Sequence, residues 1–334
     1  MTAPGNFVDR YLVASYPSGG VVVDLDTGNY FRVDAKAAAA CAALTRADDA
    51  GAVNELTASF GVARAHAERL VADIRAGLAT APVVGPPTGP YHFHREEGGF
   101  ALWHNGERVL VVTDGNLDVS FPDERREDPG PRLEFYVRAL APKILFIRGI
   151  SVLHASACAA NGRLVAFAGM SGAGKTTTAG AFVEAGARAI SEDRVVLEPG
   201  ADRPSVVLDG ERRVHAWARR VSERLAAGEA RVPSNELATV ADGAHEGLDV
   251  VHFLDATRRH PGSIFAPRTL SEPDGLLALM VNDFLGDSSR DGWRRYFALA
   301  RKMAANLALI QLDAPSGLSR LGPAARAYMS TWTS

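Results

Sequence analysis

The stretch that decides the fold reads Gly169-Met170-Ser171-Gly172-Ala173-Gly174-Lys175-Thr176, which fits the pattern G-x-x-x-x-G-K-[ST]. Glycines in such a loop let backbone N–H groups surround an anion without interference from Cβ atoms. The lysine of this motif contacts the β- and γ-phosphates of a nucleotide, and the hydroxyl that follows it coordinates Mg²⁺. The motif therefore predicts binding of ATP and magnesium. The residues expected at the nucleotide are Gly169, Ser171, Gly172, Ala173, Gly174, Lys175, Thr176 and Thr177.

The surroundings of this loop predict an α/β organisation. Apolar runs predict strands at Ser151–Ala157 and Leu164–Ala168 before the loop, then a helix at Lys175–Ala185 and a strand at Ala187–Ser191. The loop then lies at the carboxyl end of a strand, where ligands bind in such sheets, and it opens a helix whose dipole favours an anion. Transporters, motors, switches and kinases all use this loop, so the reaction must be inferred from other residues.

Two adjacent carboxylates, Glu192 and Asp193, follow the strand after the loop helix. Neighbouring carboxylates repel each other unless a cation lies between them, and Mg²⁺ would supply that charge. One of them would join Thr176 as a metal ligand, and the other would accept a proton from an attacking hydroxyl. The alternative is an ordinary solvated turn. His154 lies in the preceding apolar strand, where a lone histidine is more often structural than functional.

The segment Leu140–Glu198 resembles the HPr kinase/phosphorylase-like family of P-loop serine kinases, which is similar in fold to the phosphoenolpyruvate carboxykinases. The resemblance rests on His154, on the phosphate loop and on the run Ala185-Gly186-Ala187-Arg188-Ala189-Ile190-Ser191-Glu192-Asp193-Arg194-Val195. It implies an α/β P-loop kinase core with Lys175 and Thr176 at phosphate and metal.

The resemblance also implies roles for the acidic pair and the histidine. Glu192 and Asp193 would divide the tasks of catalytic base and magnesium ligand. The residues leave the assignment open; we favour Glu192 as the base and Asp193 as the metal ligand. His154 would contact phosphate or support the base. The chain departs from true HPr kinases at Thr177, where they carry an acidic residue, and at Ala155, where they carry glycine. It also lacks their later Gly-Arg-Asn segment, so neither HPr as a substrate nor the reverse phosphorylase reaction is expected.

The first 80 residues predict a separate small α+β domain. Val21–Asp24 and Tyr30–Val33 flank the turn Asp26-Thr27-Gly28-Asn29 as a hairpin, and helical patterns follow at 35–45, 50–60 and 64–77. This arrangement resembles the winged-helix-like PqqD fold, which recognises leader peptides; a generic structural cap is the alternative. The Pro- and Gly-dense segment 81–90 predicts a linker, which divides the chain into domains 1–85 and 91–334.

The composition argues against nucleic acid and membranes as partners. The formal net charge of −3 lacks the basic footprint of a nucleic-acid-binding protein. No apolar run is long enough for a membrane span, and no signal peptide is recognised, so a cytoplasmic protein is expected. The cysteines Cys41 and Cys158 are expected to be buried free thiols. Only four of the 36 basic residues are lysines, so a lysine at the motif position of Lys175 is less expected by chance.

The interpretation we take forward is a two-domain ATP- and Mg²⁺-dependent kinase for a serine-type hydroxyl, with a precursor peptide as acceptor and with homo-oligomers possible. A small-metabolite hydroxyl kinase and a non-catalytic ATP-binding regulator are the alternatives. Arg148, Arg194, Arg258 and Arg268 are candidates for stabilising the transferred phosphate, and the sequence does not rank them.

Overall fold

The computed structural model describes residues 7–80, 91–122, 132–198, 204–282 and 289–332. The chain forms two compact units, one made of Met1–Pro87, Ser271–Met280 and Ser289–Arg301, and the other of Thr88–Leu270, Val281–Ser288 and Lys302–Ser334. The predicted linker at 81–90 falls outside the described residues. The first unit also includes two later segments that the sequence assigned to the second domain.

The first unit contains a three-stranded antiparallel sheet covered by helices. The predicted hairpin is confirmed as β2 and β3, and β1, which the sequence did not predict, pairs with β2. The three predicted helices are confirmed. Asp34 caps the first of them, and Gly61 ends the second with a φ of 62°. The early elements are α1 (Phe7–Arg10), β1 (Tyr11–Tyr16), β2 (Gly19–Asp24), β3 (Tyr30–Val33), α2 (Ala35–Leu44), α3 (Asp49–Phe60) and α4 (Arg64–Thr80).

The two later segments of this unit belong to helices α9 (Glu272–Asn282) and α10 (Arg290–Asn306). Arg32 on β3 forms a 3.0 Å ion pair with Asp274. In the β2–β3 turn, Gly28 lies so close to Trp293 that an added Cβ would be 2.9 Å from its ring. The hairpin therefore packs against residues more than 240 positions away in the sequence.

The second unit begins with an antiparallel sheet of four strands, followed by α5 (Leu133–Ile147). Pro142 lies inside this helix and does not interrupt it. Proline removes one backbone hydrogen bond, but Leu140, Ile144 and Leu145 are fully buried around it, and this packing holds the helix together across the proline. The strands of the small sheet are β4 (Tyr91–Glu96), β5 (Gly99–His104), β6 (Glu107–Thr113) and β7 (Val119–Ser120).

The rest of the second unit contains a ten-stranded mixed sheet and the helices that pack around it. Strands β9, β14 and β17 run parallel, so their carboxyl ends share one edge. This confirms a mixed α/β fold. The strands are β8 (Ser151–Ala160), β9 (Arg163–Ala168), β10 (Arg188–Ser191), β11 (Arg194–Glu198), β12 (Ser205–Val207), β13 (His245–Gly247), β14 (Val250–Phe253), β15 (Arg259–His260), β16 (Ala266–Thr269) and β17 (Ala308–Pro315). The helices are α6 (Lys175–Glu184), α7 (Gly210–Ala226), α8 (Asn235–Ala238) and α11 (Leu318–Met329).

Burial in both units agrees with the expected free thiols. Cys41 and Cys158 are buried and unbridged, and burial raises the pKa of each thiol to about 12. Within the described ranges, no helix combines the length and the apolar character that crossing a membrane requires.

Candidate functional site

The predicted phosphate loop connects β9 to α6 in a conformation that only glycine adopts readily. Gly169, Gly172 and Gly174 have φ values of 154°, 80° and 95°. A Cβ on Gly169 would lie 2.5 Å from the carbonyl oxygen of Leu254, the residue that follows β14. The loop is therefore held against the neighbouring parallel strand, and its exposed residues, which include Ser171, Thr176 and Thr177, face solvent.

Lys175 is folded back over its own loop. Its Nζ donates hydrogen bonds to the carbonyl oxygens of Gly169 at 2.9 Å and Met170 at 3.3 Å, and the side chain is buried. Burial lowers the pKa of Lys175, although the nearby Asp193 opposes this. A phosphate in the loop would give this ammonium an anionic partner in place of two neutral carbonyls.

The acidic pair reaches the loop through strand geometry. β8 pairs antiparallel with β9 on one edge and with both β10 and β11 on the other, so β9, β10 and β11 run in the same direction. Ala155 of β8 faces Ala168, the last residue of β9, and His154 faces Arg194. Glu192 and Asp193 therefore lie between two strands, β10 and β11, that both pair with β8 and run in the same direction. They are not the tip of a hairpin, and they lie beside the start of the phosphate loop.

His154 and Asp193 form a direct pair. His154 Nε2 lies 3.1 Å from Asp193 Oδ1. The pKa of Asp193 is lowered chiefly by the hydrogen bond from His154 and further by the charges of Arg194 and Lys175, against the effect of burial. Asp193 is therefore held as a carboxylate next to the lysine of the loop.

Glu211 and two hydroxyl groups hold the backbone of the acidic pair. Glu211, in the first turn of α7, accepts hydrogen bonds from the N–H groups of Glu192 at 2.7 Å and Asp193 at 3.1 Å. On the other side, the carbonyl oxygen of Glu192 accepts from Ser156 Oγ at 2.5 Å, and Thr176 Oγ1 lies 3.4 Å from it. The carboxylate of Glu192 accepts no hydrogen bond from the described part of the chain and is exposed.

The oxygen donors here suit magnesium. Mg²⁺ usually takes one or two protein oxygens and completes its shell with phosphate oxygens and waters. The hydroxyl of Thr176 and the carboxylate of Asp193 are such donors, and Asp193 is close enough to Lys175 for their charges to interact. In the described ranges, no group of three or more His, Cys, Asp or Glu side chains is placed to hold a metal ion.

An arginine that the sequence analysis did not single out lies against the loop. Arg259 on β15 places a guanidinium nitrogen 3.4 Å from the carbonyl oxygen of Ala173 and 3.5 Å from where a Cβ of Gly174 would lie. It forms no ion pair with a carboxylate of the described ranges. Its neighbour Arg258, which the sequence did name, instead lies 3.7 Å from Asp255.

The other named arginines lie in different settings. Arg148 donates to the hydroxyl of Ser234 and the carbonyl of Asn116, and Arg268 is exposed on β16. Arg194 alone among these joins the acidic pair, with a nitrogen 3.8 Å from Asp193 Oδ2. Glu211 and Arg259 were missed because they come from elements far along the chain. The sequence shows an apolar run at Val250–Phe253 with Arg259 shortly after it, but only the pairing of β14 with β9 shows that this run ends beside the loop.

Comparison of the chain with known protein families and with curated proteins finds no match.

Proposed function

We propose that this protein is an ATP- and Mg²⁺-dependent kinase of the HPr kinase-like type, which transfers the γ-phosphoryl group to a serine-type hydroxyl. One observation carries the proposal: the loop with Lys175 and the pair of His154 and Asp193 meet at the same edge of the sheet. A solvated surface turn does not explain why Glu211, Ser156 and Thr176 all hold the backbone of the acidic pair.

The transfer assigns each residue a task. The backbone N–H groups of the loop and Lys175 bind the phosphates of ATP. Thr176 and Asp193 would hold magnesium, which neutralises charge on the phosphate oxygens when bound. His154 orients the carboxylate of Asp193 through their 3.1 Å contact.

Glu192 accepts the proton of the acceptor. The hydroxyl oxygen of the acceptor bonds to the γ-phosphorus, the bond from this phosphorus to the β–γ bridging oxygen breaks, and ADP leaves. The exposed, unbonded carboxylate of Glu192 is suited to take the hydroxyl proton, because no described donor competes for it. Catalysis would rest mainly on positioning and on neutralising phosphate charge.

We further propose that the first unit recruits a peptide, as its likeness to the PqqD fold implies. Its sheet runs β1-β2-β3, so β1 and β3 each have an edge to which no described strand is hydrogen-bonded. An extended peptide can add to such an edge through main-chain hydrogen bonds. The acceptor in this proposal is the serine of a precursor peptide.

Incubation of the full chain with ATP labelled on its γ-phosphate tests the kinase proposal. The acceptors are serine-containing peptides and free serine, and mass spectrometry identifies the phosphorylated product. We expect transfer to a serine hydroxyl that needs Mg²⁺ and is lost in Asp193→Asn. If transfer goes to free serine only, the peptide part of the proposal is wrong. If ATP binds and no acceptor is phosphorylated, an ATP-binding regulator is the better account.

A further inference from the structure

Two arginines and a histidine from three elements gather beside the acidic pair. They are Arg138 of α5, Arg194 of β11 and His215 of α7, and we call them the Arg–His cluster. A guanidinium nitrogen of Arg194 lies 3.4 Å from Nε2 of His215. Arg138 is close enough for its charge to lower the pKa of both other members. Burial is the largest cause of the lowered pKa in both groups.

Two buried nitrogens of the cluster lack hydrogen-bond partners among the described residues. The Nε atoms of Arg138 and Arg194 are both shielded from solvent, and each lacks a hydrogen-bond acceptor among the described residues. The side chain of Arg194 is only 13% exposed. Buried arginine nitrogens are normally paired, because leaving such a donor unbonded in the interior is costly.

The carboxylates near the cluster do not fill this gap. Asp193 is 3.8 Å from Arg194, but its other oxygen is bonded to His154. Glu211 already accepts from the hydroxyl of Ser191 and from two backbone N–H groups. Like charges that converge around unbonded donors favour an additional anion.

The cluster lies across the acidic pair from the phosphate loop. The carbonyl of Glu192 faces Thr176, whereas the N–H of Asp193, in the same peptide unit, donates to Glu211. This peptide is trans, so the two groups point in opposite directions. His215 follows Glu211 by four residues on α7 and so shares its face of the helix.

A cavity gives access to this side. It has a volume of about 750 Å³, and His215 lines it together with Glu192, Arg212 and Arg219. A molecule in the cavity can therefore reach His215 of the cluster and the proposed catalytic base, Glu192.

We propose that Arg138, Arg194 and His215 form an anion-binding site that holds a carboxylate or phosphate group carried by the hydroxyl acceptor. Assigning the anion to the acceptor rests on the proposed kinase function. The transferred γ-phosphoryl group has the same chemistry, but it would arrive on the loop side of the acidic pair, whereas the cluster lies on the α7 side. The acceptor class is then an anionic hydroxyl compound, such as a serine next to an acidic group.

Sulfate is the probe for this site, because it needs no knowledge of the acceptor. The full chain is saturated with Mg·ADP to fill the phosphate loop and is titrated with sodium sulfate against sodium chloride at constant ionic strength. The imidazole ¹H–¹³C signal of His215 reports binding. We expect a saturable shift that becomes at least about tenfold weaker in Arg194→Gln and in Arg138→Gln, as expected for a lost charged hydrogen bond.

Arg220→Gln is the matched control. Arg220 lies on α7, the helix that carries His215. It is paired with Glu236 and does not line the cavity. Its variant should bind sulfate like the wild type. Thermal unfolding and Mg·ADP affinity establish that each variant is folded. A missing shift in the folded wild type, or equal shifts in all variants, would overturn the site.

A second arm identifies the source of the anion. The titration is repeated with a non-hydrolysable ATP analogue that carries a γ-phosphate. If the site serves the acceptor, sulfate binds with unchanged affinity beside the analogue. Displacement of sulfate by the analogue would overturn the assignment to the acceptor. If neither nucleotide binds, the kinase proposal fails, whereas the His215 signal still tests the anion site by itself.

Discussion

His154 Nε2 lies 3.1 Å from Asp193 Oδ1, and this contact joins a strand that precedes the phosphate loop to the acidic pair that follows it. The histidine lowers the pKa of Asp193, so the carboxylate stays ionised at neutral pH. From the sequence pattern alone, a single histidine in an apolar strand does not predict a contact between His154 and Asp193. The resemblance to HPr kinases implied that His154 contacts phosphate or supports the base, whereas the structure pairs it with Asp193, the carboxylate expected at the metal.

Removing the charge of each acid separately distinguishes their roles. Asp193→Asn should lose the magnesium dependence of ATP binding, because a metal ligand is gone. Glu192→Gln should bind Mg·ATP normally and transfer phosphate about 10²-fold more slowly, the usual scale for a lost general base. Calorimetry measures binding, and mass spectrometry measures transfer. If both variants keep full activity, the acidic pair is a surface feature and the mechanism fails.

Arg259 should contact the γ-phosphate. It lies against the loop at Ala173 without a described carboxylate partner, whereas the adjacent Arg258 is close to Asp255. We expect Arg259→Gln to abolish the preference for a γ-phosphate-bearing analogue over Mg·ADP, a loss of about tenfold or more. Arg258→Gln is the control and should keep the preference. Equal weakening of both nucleotides in Arg259→Gln would show that Arg259 shapes the loop without contacting that phosphate.

Gly28 and Gly61 offer a matched pair for the packing of the first unit. Both have φ in the left-handed region, at 72° and 62°. A Cβ at Gly61 meets nothing within 4 Å, whereas one at Gly28 would be 2.9 Å from Trp293. Gly61→Ala should cost about 1 kcal/mol of unfolding free energy from backbone strain. Gly28→Ala should cost about 1–3 kcal/mol more from overpacking. Equal costs in denaturant unfolding would contradict the contact with α10.

His252 should make stability pH-dependent. It is buried on β14 beside Phe167 and Tyr328, both ring nitrogens lack described partners, and burial lowers its pKa to about 3. In the unfolded chain His252 therefore binds a proton below about pH 6.5, whereas in the folded chain it stays neutral down to about pH 3. The free energy of unfolding therefore decreases as the pH is lowered through this window, by roughly 2–3 kcal/mol between pH 6.5 and pH 4.5.

His252→Phe removes this proton linkage. Its unfolding free energy should fall less steeply between pH 6.5 and pH 4.5 than that of the wild type, and the two slopes should agree above pH 7. Urea unfolding at a series of pH values measures both. Identical slopes below pH 6.5 would mean that His252 is not held neutral.

Sequence patterns predicted the elements whose conformation depends on neighbouring residues in the chain. The hairpin around Gly28, the helix that ends at Gly61 and the strand–loop–helix at Gly169 each depend on residues within a few positions. The structure has these elements. The α/β organisation followed from them.

Elements that depend on distant packing were missed. The sequence analysis did not predict β17, which begins at Ala308 soon after α10 ends at Asn306 and is held by pairing with β14, β15 and β16. α5 continues through Pro142 because its apolar face is buried. Glu211 and Arg259 belong to the site through tertiary contacts that no local pattern records.

Binding of Mg·ATP to the full chain tests the central claim most directly. Calorimetry compares the wild type with Lys175→Ala and with Lys36→Ala, a control that removes a lysine from α2 in the other unit. Thermal unfolding should be similar for all three. We predict that the wild type and Lys36→Ala bind equally, and that Lys175→Ala binds about 10²-fold more weakly or worse, since it loses a buried cation at the phosphates. A wild-type chain that does not bind Mg·ATP, or a Lys175→Ala variant that binds it unchanged, would contradict the account.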